Sequence, residues 1–156
     1  MGSWAVDRTL LDRASGTSGT FTGVVLFSPT GHDGGLNFHE HGTVRWTAFD
    51  GAPFSGPATR DYVLRPTGAP DAMDVYFPDG RPFHRMSFSD HAVQDQHWCD
   101  PDTYTVRYTM RGPDSFSYSW DVSGPAKDLL LDSTLKRLDA APANPPAGPT
   151  AAGPTG

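Results

Sequence analysis

The sequence predicts an all-β protein that forms a single antiparallel β-barrel of about eight to ten strands. Three observations predict this fold class. Short runs of strand-forming residues alternate with clusters of Gly, Pro, Asp and Ser. Most of the aromatic residues, 12% of the chain, fall within these runs. Helical periodicity is scarce, whereas residues 104–108 and 118–122 place an apolar side chain at every second position, as a wall with one packed face does.

Turn signals divide the folded part of the chain into short runs. Gly and Asp mark these turns because they accept the backbone dihedrals that tight hairpins require. The turn dipeptides are Ser15-Gly16, Ser18-Gly19, Gly34-Gly35, Asp50-Gly51 and Asp79-Gly80. The predicted strands, in chain order, cover residues 4–12, 20–28, 36–41, 42–49, 58–66, 73–77, 81–89, 93–99, 102–111, 115–123 and 128–138.

Alternation within these runs predicts which side chains share a face. The first run also permits an amphipathic helix from near Trp4 to Asp12, because Val6, Leu10 and Leu11 fall at helical spacing. We favour a strand there. In chain order, the residues predicted to share a face are Leu36, Phe38 and Glu40; Arg60, Tyr62 and Leu64; His97 and Cys99; and Tyr104, Val106 and Tyr108.

The end of the chain differs in composition from the rest. Residues 140–156 consist of Ala, Pro, Gly, Thr and Asn, which offer little to bury, and the prolines prevent a regular strand. The sequence therefore predicts a barrel domain at 1–139 and a disordered tail at 140–156. A Pro-rich docking segment is the alternative, but no P-x-x-P spacing there is flanked by a basic residue.

Charge and composition exclude several classes of partner. With 12 basic and 18 acidic residues, the chain has no basic stripe for a phosphate backbone, so we expect no nucleic-acid partner. No apolar run approaches the roughly 20 residues of a membrane span, so we expect no membrane partner. The chain does not start with the pattern of a secretory signal, and its single cysteine, Cys99, cannot form an internal disulfide. We expect a cytoplasmic protein; the sequence leaves its oligomeric state open.

Several motifs are similar to those of a known family. Gly2-Ser3-Trp4 resembles the G-x-W opening of lipocalin-like (calycin) barrels, in which the Trp plugs the base and a basic residue near the last strand, here Arg137, covers it. Over residues 2–138 the chain resembles an uncharacterised lipocalin-like family of unknown function, although Ala126, Leu129 and Leu135 stand where that family has Arg, Tyr and Tyr. The resemblance implies the barrel and no established activity. The matching positions are Trp4, Arg8, Asp12-Arg13, Gly16, Gly19, Phe21, Gly23, Phe27, Glu40, Gly42, Arg60, Tyr62, Asp79-Gly80-Arg81, Phe83-His84, His97, Cys99, Asp102, Tyr104, Trp120, Gly124-Pro125 and Lys127-Asp128.

Residues 77–108 concentrate the candidate chemistry. A histidine can move a proton at neutral pH, and a neighbouring Tyr or Arg can hold an enolate or carboxylate oxygen. The structural alternative is a hairpin turn at Asp79-Gly80, an ion pair of Arg81, and histidines that satisfy backbone groups. We predict His84, His97, Tyr104 and Arg60 as catalytic residues, and Glu40, Tyr62, Phe83, Arg81, Cys99 and Trp120 as ligand-binding residues.

Three further groups have competing interpretations. His39-Glu40-His41 has the H-x-H spacing of metal sites, but the cupin pattern that would extend it is absent, so we expect both histidines to face solvent and Glu40 to point inward beside Arg60 and Tyr62. Cys99 is a nucleophile or, as we favour, a small buried apolar residue. Lys127 is a Schiff-base candidate or, as we favour, a solvated residue.

The predicted function is the binding of a small, largely apolar molecule inside the barrel, followed by cofactor-independent acid/base chemistry of an isomerase, cyclase or lyase type. A non-catalytic carrier is the first alternative. A haem or metal barrel with His84 or His97 as a ligand is the second. No nucleotide-binding loop and no serine-hydrolase elbow occurs in the sequence, so we expect no cofactor.

Overall fold

The computed structural model describes residues 1–31, 33–47, 51–89, 95–99 and 101–138, with the backbone alone for 95–99. The predicted all-β antiparallel barrel is confirmed. Residues 36–47 form one continuous strand where the sequence suggested two, and the first run is a strand, so the helical alternative is wrong. The strands are β1 (Gly2–Asp12), β2 (Thr17–Pro29), β3 (Leu36–Thr47), β4 (Pro53–Pro66), β5 (Ala72–Tyr76), β6 (Pro82–Ser87), β7 (Asp95–Cys99), β8 (Asp102–Gly112), β9 (Ser115–Gly124) and β10 (Lys127–Arg137).

The ten strands form one antiparallel sheet that curls into a nearly closed barrel. Their order is β6-β5-β4-β3-β2-β1-β10-β9-β8-β7, so the first and last strands pair in the middle of the sheet. The edge strand β6 lies close to β7 and β8 at the other edge. A hydrogen bond of 2.8 Å between His84 Nε2 on β6 and Tyr108 Oη on β8 spans this seam. The predicted tail lies outside the described residues.

One end of the barrel is closed by an aromatic plug. Trp4 is buried and contacts Phe27 and Phe116 edge-on, with ring centroids 6.4 and 5.2 Å away. The Arg137 guanidinium lies 4.4 Å from the centre of the Trp4 ring and donates a 2.8 Å hydrogen bond to Asp114. Arg137 therefore packs against the Trp4 plug.

The opposite end is open. Along β1, β3, β4 and β10, the inward-facing side chains toward this end are only half-buried: Leu10, Val44, Ala58 and Leu131. The inward positions nearer the plug, such as Val6 and Leu135, are almost completely buried. Solvent therefore reaches the barrel interior from the end opposite Trp4. Within the described ranges, no helix suited to crossing a membrane occurs.

A pair of glycines allows β2 and β3 to approach closely. Gly23 and Gly42 lie directly opposite each other, and the ring of Phe21 packs over them. A Cβ atom on Gly42 would collide with the Thr22 carbonyl oxygen and would lie 2.7 Å from the Phe21 ring. The small size of both residues therefore positions the Phe21 ring inside the barrel.

Candidate functional site

The centre of the barrel contains a buried ion pair between Arg8 on β1 and Glu40 on β3. Arg8 Nη1 donates to Glu40 Oε1 at 3.0 Å, and Arg8 Nη2 donates to Glu40 Oε2 at 2.7 Å. The two residues are 4% and 2% exposed. This bidentate geometry satisfies both oxygens of a carboxylate, which is the arrangement that makes a buried pair tolerable.

Two further N–H groups of Arg8 also donate hydrogen bonds. Its Nε donates to Ser133 Oγ at 2.8 Å and its Nη2 to Tyr118 Oη at 2.6 Å. The guanidinium carbon lies 5.0 Å from the centre of the Phe21 ring, which rests on the glycine pair. Burial alone lowers the pKa of Arg8, but its contacts with Tyr118 and Glu40 outweigh that effect and raise it, so Arg8 stays charged.

Arg60 adds a second cation beside the same carboxylate. It lies directly across from Glu40 in the β3–β4 register, and its Nε is 3.7 Å from Glu40 Oε1. Its side chain is 34% exposed, although it lines the barrel interior. Among the residues that the structure describes, no other carboxylate forms an ion pair with Arg60. Glu40 points inward as predicted, but its principal partner is Arg8 and not Arg60.

Next to these charges, the interior is almost filled by side chains. The remaining cavity has a volume of about 20 Å³, enough for about one water molecule. As bounded by the described side chains, this cavity is therefore too small for an organic ligand. The cavity is lined by Phe38, Arg60, Tyr62, Leu64, Val75, Phe83, His84, Met86, Tyr108, Phe116, Tyr118 and Trp120.

Three aromatic rings form a stack across this interior. The Phe83 ring lies between Tyr62, at a centroid distance of 5.3 Å, and Trp120, at 5.2 Å. The interplanar angles are 26° and 12°, so the three rings are nearly parallel. His84 meets the Phe83 ring edge-on at 4.5 Å. Tyr62, Phe83 and Trp120, all predicted to bind ligand, thus lie together.

An irregularity in β6 allows Phe83 and His84 to line the same cavity. Val75 of β5 pairs with His84, whereas the next residue, Tyr76, pairs with Pro82, which leaves Phe83 as an extra residue in β6. In a regular strand, consecutive side chains point to opposite faces. A β-bulge breaks this alternation and redirects a side chain, so two neighbours reach the interior.

The hydrogen bond between His84 and Tyr108 lies at the wall of this cavity. Burial raises the pKa of the Tyr108 hydroxyl well above its usual value, and the nearby hydroxyls of Tyr118 and Tyr62 raise it further. Burial likewise raises the pKa of Tyr62. Both phenols are therefore protonated at neutral pH, so Tyr108 is able to donate its proton to a neutral His84 Nε2.

Tyr104 belongs to a different cluster, at one end of β8. Lys127 Nζ donates to Tyr104 Oη at 3.1 Å and lies 2.7 Å from Asp102 Oδ2. These hydrogen bonds raise the pKa of Lys127 above its usual value. Asp102 is buried against Gly124, where any Cβ atom would collide with its carboxylate. Asp102, Tyr104, Gly124 and Lys127, which all lie at positions of the family resemblance, therefore form one cluster.

The other predicted residues lie apart from the cavity or outside the described side chains. Arg81 is exposed in the turn before β6, where it pairs with Asp79 at 2.7 Å. His97 and Cys99 belong to β7, whose side chains are outside the described part of the chain. His39 and His41 are exposed, and His39 Nδ1 lies 2.7 Å from Asp61. In the described part of the chain, no group of three or more His, Cys, Asp or Glu side chains is suited to a metal ion.

Three site residues, Arg8, Tyr118 and Ser133, are not among the site residues predicted from the sequence. For Arg8, which is a position of the family resemblance, a signal for burial is present in the alternation of β1. Trp4, Val6 and Arg8 share one face, so the arginine stands within an apolar series. Ser133 and Tyr118 lie 125 and 110 residues from Arg8 in the chain, and only the pairing of β1 with β10 and of β10 with β9 brings them together.

Known structures share this architecture. The S-type phycobiliprotein lyase CPES from Guillardia theta aligns with a TM-score of 0.60 and 12% identity, over 90% of this chain and 89% of that chain. Two designed barrels are less similar. A de novo designed fluorescence-activating β-barrel has a TM-score of 0.41 and 14% identity over 88% of this chain and 92% of its own. The redesigned barrel mFAP1, bound to DFHBI, has a TM-score of 0.41 and 19% identity over 87% and 93%.

A search among curated proteins finds no match. A family profile matches residues 1–137, which is most of the chain and includes every described strand. The match contains the buried Arg8–Glu40 pair, the aromatic stack and the Asp102–Lys127 cluster. The chain therefore belongs to the family described as a family of unknown function (DUF6314).

Proposed function

We propose that the barrel binds a small, largely apolar molecule that carries one anionic group. The observation that carries this proposal is the charge balance beside the cavity. Among the side chains that the structure describes there, Arg8 and Arg60 supply two positive charges, whereas Glu40 supplies one negative charge whose two oxygens Arg8 already satisfies. Arg60 therefore has donors available for a further carboxylate, phenolate or similar group.

The shape of the barrel supports the same class of ligand. The open end is lined by half-buried apolar residues, including Leu10, Val44 and Leu131, while Arg60 lies deeper on β4. An amphipathic anion entering from this end would place its apolar part against these side chains and its charged group at Arg60. Because the interior is nearly filled, binding requires side chains to move.

The test compares anionic probes with their neutral counterparts. Octanoate and 2-naphthoate, and the corresponding alcohols, are titrated into the protein by calorimetry. We expect each carboxylate to bind about tenfold or more tightly than its alcohol, because a hydrogen bond to a charged group contributes about 1.5–3 kcal/mol. In Arg60→Met this difference should disappear.

Arg107→Met is the matched control, since Arg107 is an exposed arginine on the outer face of β8. It should keep the wild-type preference for carboxylates. Equal binding of acids and alcohols by the wild-type protein, or an unchanged preference in Arg60→Met, would contradict the role of Arg60.

A second candidate function is cofactor-independent acid/base catalysis on the bound molecule. The observation that favours it is the 2.8 Å contact between His84 and Tyr108 at the cavity wall, on the same cavity as Arg60. In the tautomer that donates from Nε2 to Tyr108, His84 would take a proton at Nδ1 from a carbon next to a carbonyl group, and Arg60 would hold the oxygen on which negative charge develops. The roles predicted for His97 and Tyr104 remain part of this proposal.

Phenylpyruvate is a suitable probe for such proton transfer because it combines a carboxylate with an acidic C–H bond. In D₂O, we expect deuterium exchange at the benzylic carbon to be faster with the protein than in buffer alone. Proton NMR measures the rate of this exchange. His84→Gln should reduce this acceleration about 100-fold or more, which is the usual contribution of a general base. His41→Gln, on the exposed face of β3, should leave it unchanged. Full exchange in His84→Gln would exclude His84 as the base.

Two further parts of the proposal concern kinship and location. We propose that the family is related to the lipocalin-like (calycin) barrels, which the position of Trp4 at the closed base, covered by Arg137, supports. We also propose a cytoplasmic location. Its support is the single cysteine, Cys99, which fits a reducing compartment.

A further inference from the structure

We propose that the ligand of this barrel carries a planar, conjugated ring, and that this ring takes the place of Phe83 between Tyr62 and Trp120. The inference rests on the proposed function and narrows its ligand class. The proposed ligand class is narrowed from small apolar anions in general to aromatic anions whose charge lies close to the ring.

The stack has the dimensions of an aromatic binding slot. Tyr62 belongs to β4 and Trp120 to β9, and the Phe83 ring separates them with centroid distances of 5.3 and 5.2 Å. Aromatic rings stack favourably in offset parallel geometry at such distances. A flat guest would keep both faces in contact with Tyr62 and Trp120, whereas a saturated ring of the same size is thicker and would force them apart.

Phe83 is the member of the stack that we expect a guest to displace, because it is the extra residue of the bulge in the edge strand β6. Its ring also contacts Phe77 at a centroid distance of 4.6 Å, so its displacement breaks this contact as well. Trp120, in contrast, lies within β9 and pairs with Val106 on one side and Leu131 on the other. Trp120 is therefore paired on both sides within the sheet, whereas Phe83 lies in an edge strand.

The position of Arg60 sets where the charge of the guest would lie. Arg60 precedes Tyr62 by two residues on the same face of β4, which separates their Cα atoms by about 6.5–7 Å. A carboxylate attached to the ring directly, or through one or two bonds, would reach the guanidinium while the ring remains on Tyr62. His84, edge-on to the slot, faces the same ring. Aryl carboxylates and phenolates fit this arrangement.

The experiment compares a flat probe with a saturated one of equal charge. Binding of 2-naphthoate and of decahydro-2-naphthoate is measured by calorimetry for the wild type, Phe83→Ala and Phe83→Leu. Removing the Phe83 ring should strengthen binding of 2-naphthoate about tenfold and change binding of the saturated probe much less. Phe83→Leu removes the flat ring with little loss of volume, and should shift the preference in the same direction even where Phe83→Ala folds poorly.

Phe27→Ala is the control, because it deletes a buried ring at the plugged end, next to Trp4 and away from the slot. Phe27→Ala should not strengthen the binding of 2-naphthoate relative to that of decahydro-2-naphthoate. A loss of 2-naphthoate affinity in both Phe83 variants, or an equal gain for both probes, would overturn the slot. If octanoate still binds through Arg60 in that case, the proposed function stands without it. If no anionic probe binds to any of these proteins, the proposed function fails together with the slot.

Discussion

Replacing Glu40 by Gln should destabilise the barrel by about 3–5 kcal/mol, the usual cost of leaving one partner of a buried ion pair without the other. Glu40 is 2% exposed and accepts two hydrogen bonds from Arg8. The amide keeps the shape of the side chain but removes the charge, so Arg8 and Arg60 would face each other without a carboxylate between them. The free energy of unfolding in urea at pH 7 measures the effect.

Asp61→Asn is the control for this substitution. Asp61 lies on the neighbouring strand and pairs with His39, but the pair is on the outer surface and both side chains are about half-exposed. Its loss should cost less than about 1 kcal/mol. A Glu40→Gln protein as stable as Asp61→Asn would contradict the structural importance of the buried pair. Arg8→Met combined with Glu40→Leu should recover part of the loss, since it removes both charges together.

Adding a single methyl group at Gly42 should destabilise the protein by about 3 kcal/mol, the upper part of the usual range for overpacking. The Cβ atom of Gly42→Ala would meet the Thr22 carbonyl oxygen, the Cα atom of Gly23 at 2.6 Å and the Phe21 ring at 2.7 Å. The first two are backbone atoms, which cannot turn away as a side chain does. Thermal and urea unfolding would report the change.

Gly68→Ala is the matched control, because a Cβ atom there meets no other group within 4 Å. It should leave stability nearly unchanged. The displacement of Phe21 in Gly42→Ala should also disturb Arg8, whose guanidinium rests on that ring at 5.0 Å. A Gly42→Ala protein with wild-type stability would show that β2 and β3 separate at little cost.

The strands could be predicted from sequence because their pattern is local. Tyr118 and Trp120 alternate with polar residues along β9, and the alternation gives both the element and its inward face. The inward position of Glu40 followed from the same reasoning. The ends of the strands are harder to predict. The strand β4 begins at Pro53, whereas the sequence predicts a start at residue 58. Pro57 and Gly56 within it are poor strand formers that pairing with β3 overrides.

The candidate site was harder to predict because it depends on contacts that alternation does not reveal. Glu40 pairs mainly with Arg8 because Arg8 packs on Phe21 and because Arg60 lies farther from the Glu40 carboxylate. Phe83 and His84 share the cavity only because of the bulge in β6. Tyr104 faces inward as predicted, but its hydroxyl is bound by Lys127. Each of these facts requires the register between strands.

The pairing of the first and last strands has a consequence for how the buried ion pair forms. Arg8 on β1 is bound by Ser133 on β10 and by Tyr118 on β9. A ribosome-bound chain that has already released its first seven strands still lacks these partners, because they belong to β9 and β10. The arginine then has Glu40 alone, and the interior stays open to water along one whole side. The buried ion pair therefore gains its full set of hydrogen bonds only after β9 and β10 have been synthesised and have paired with the earlier strands.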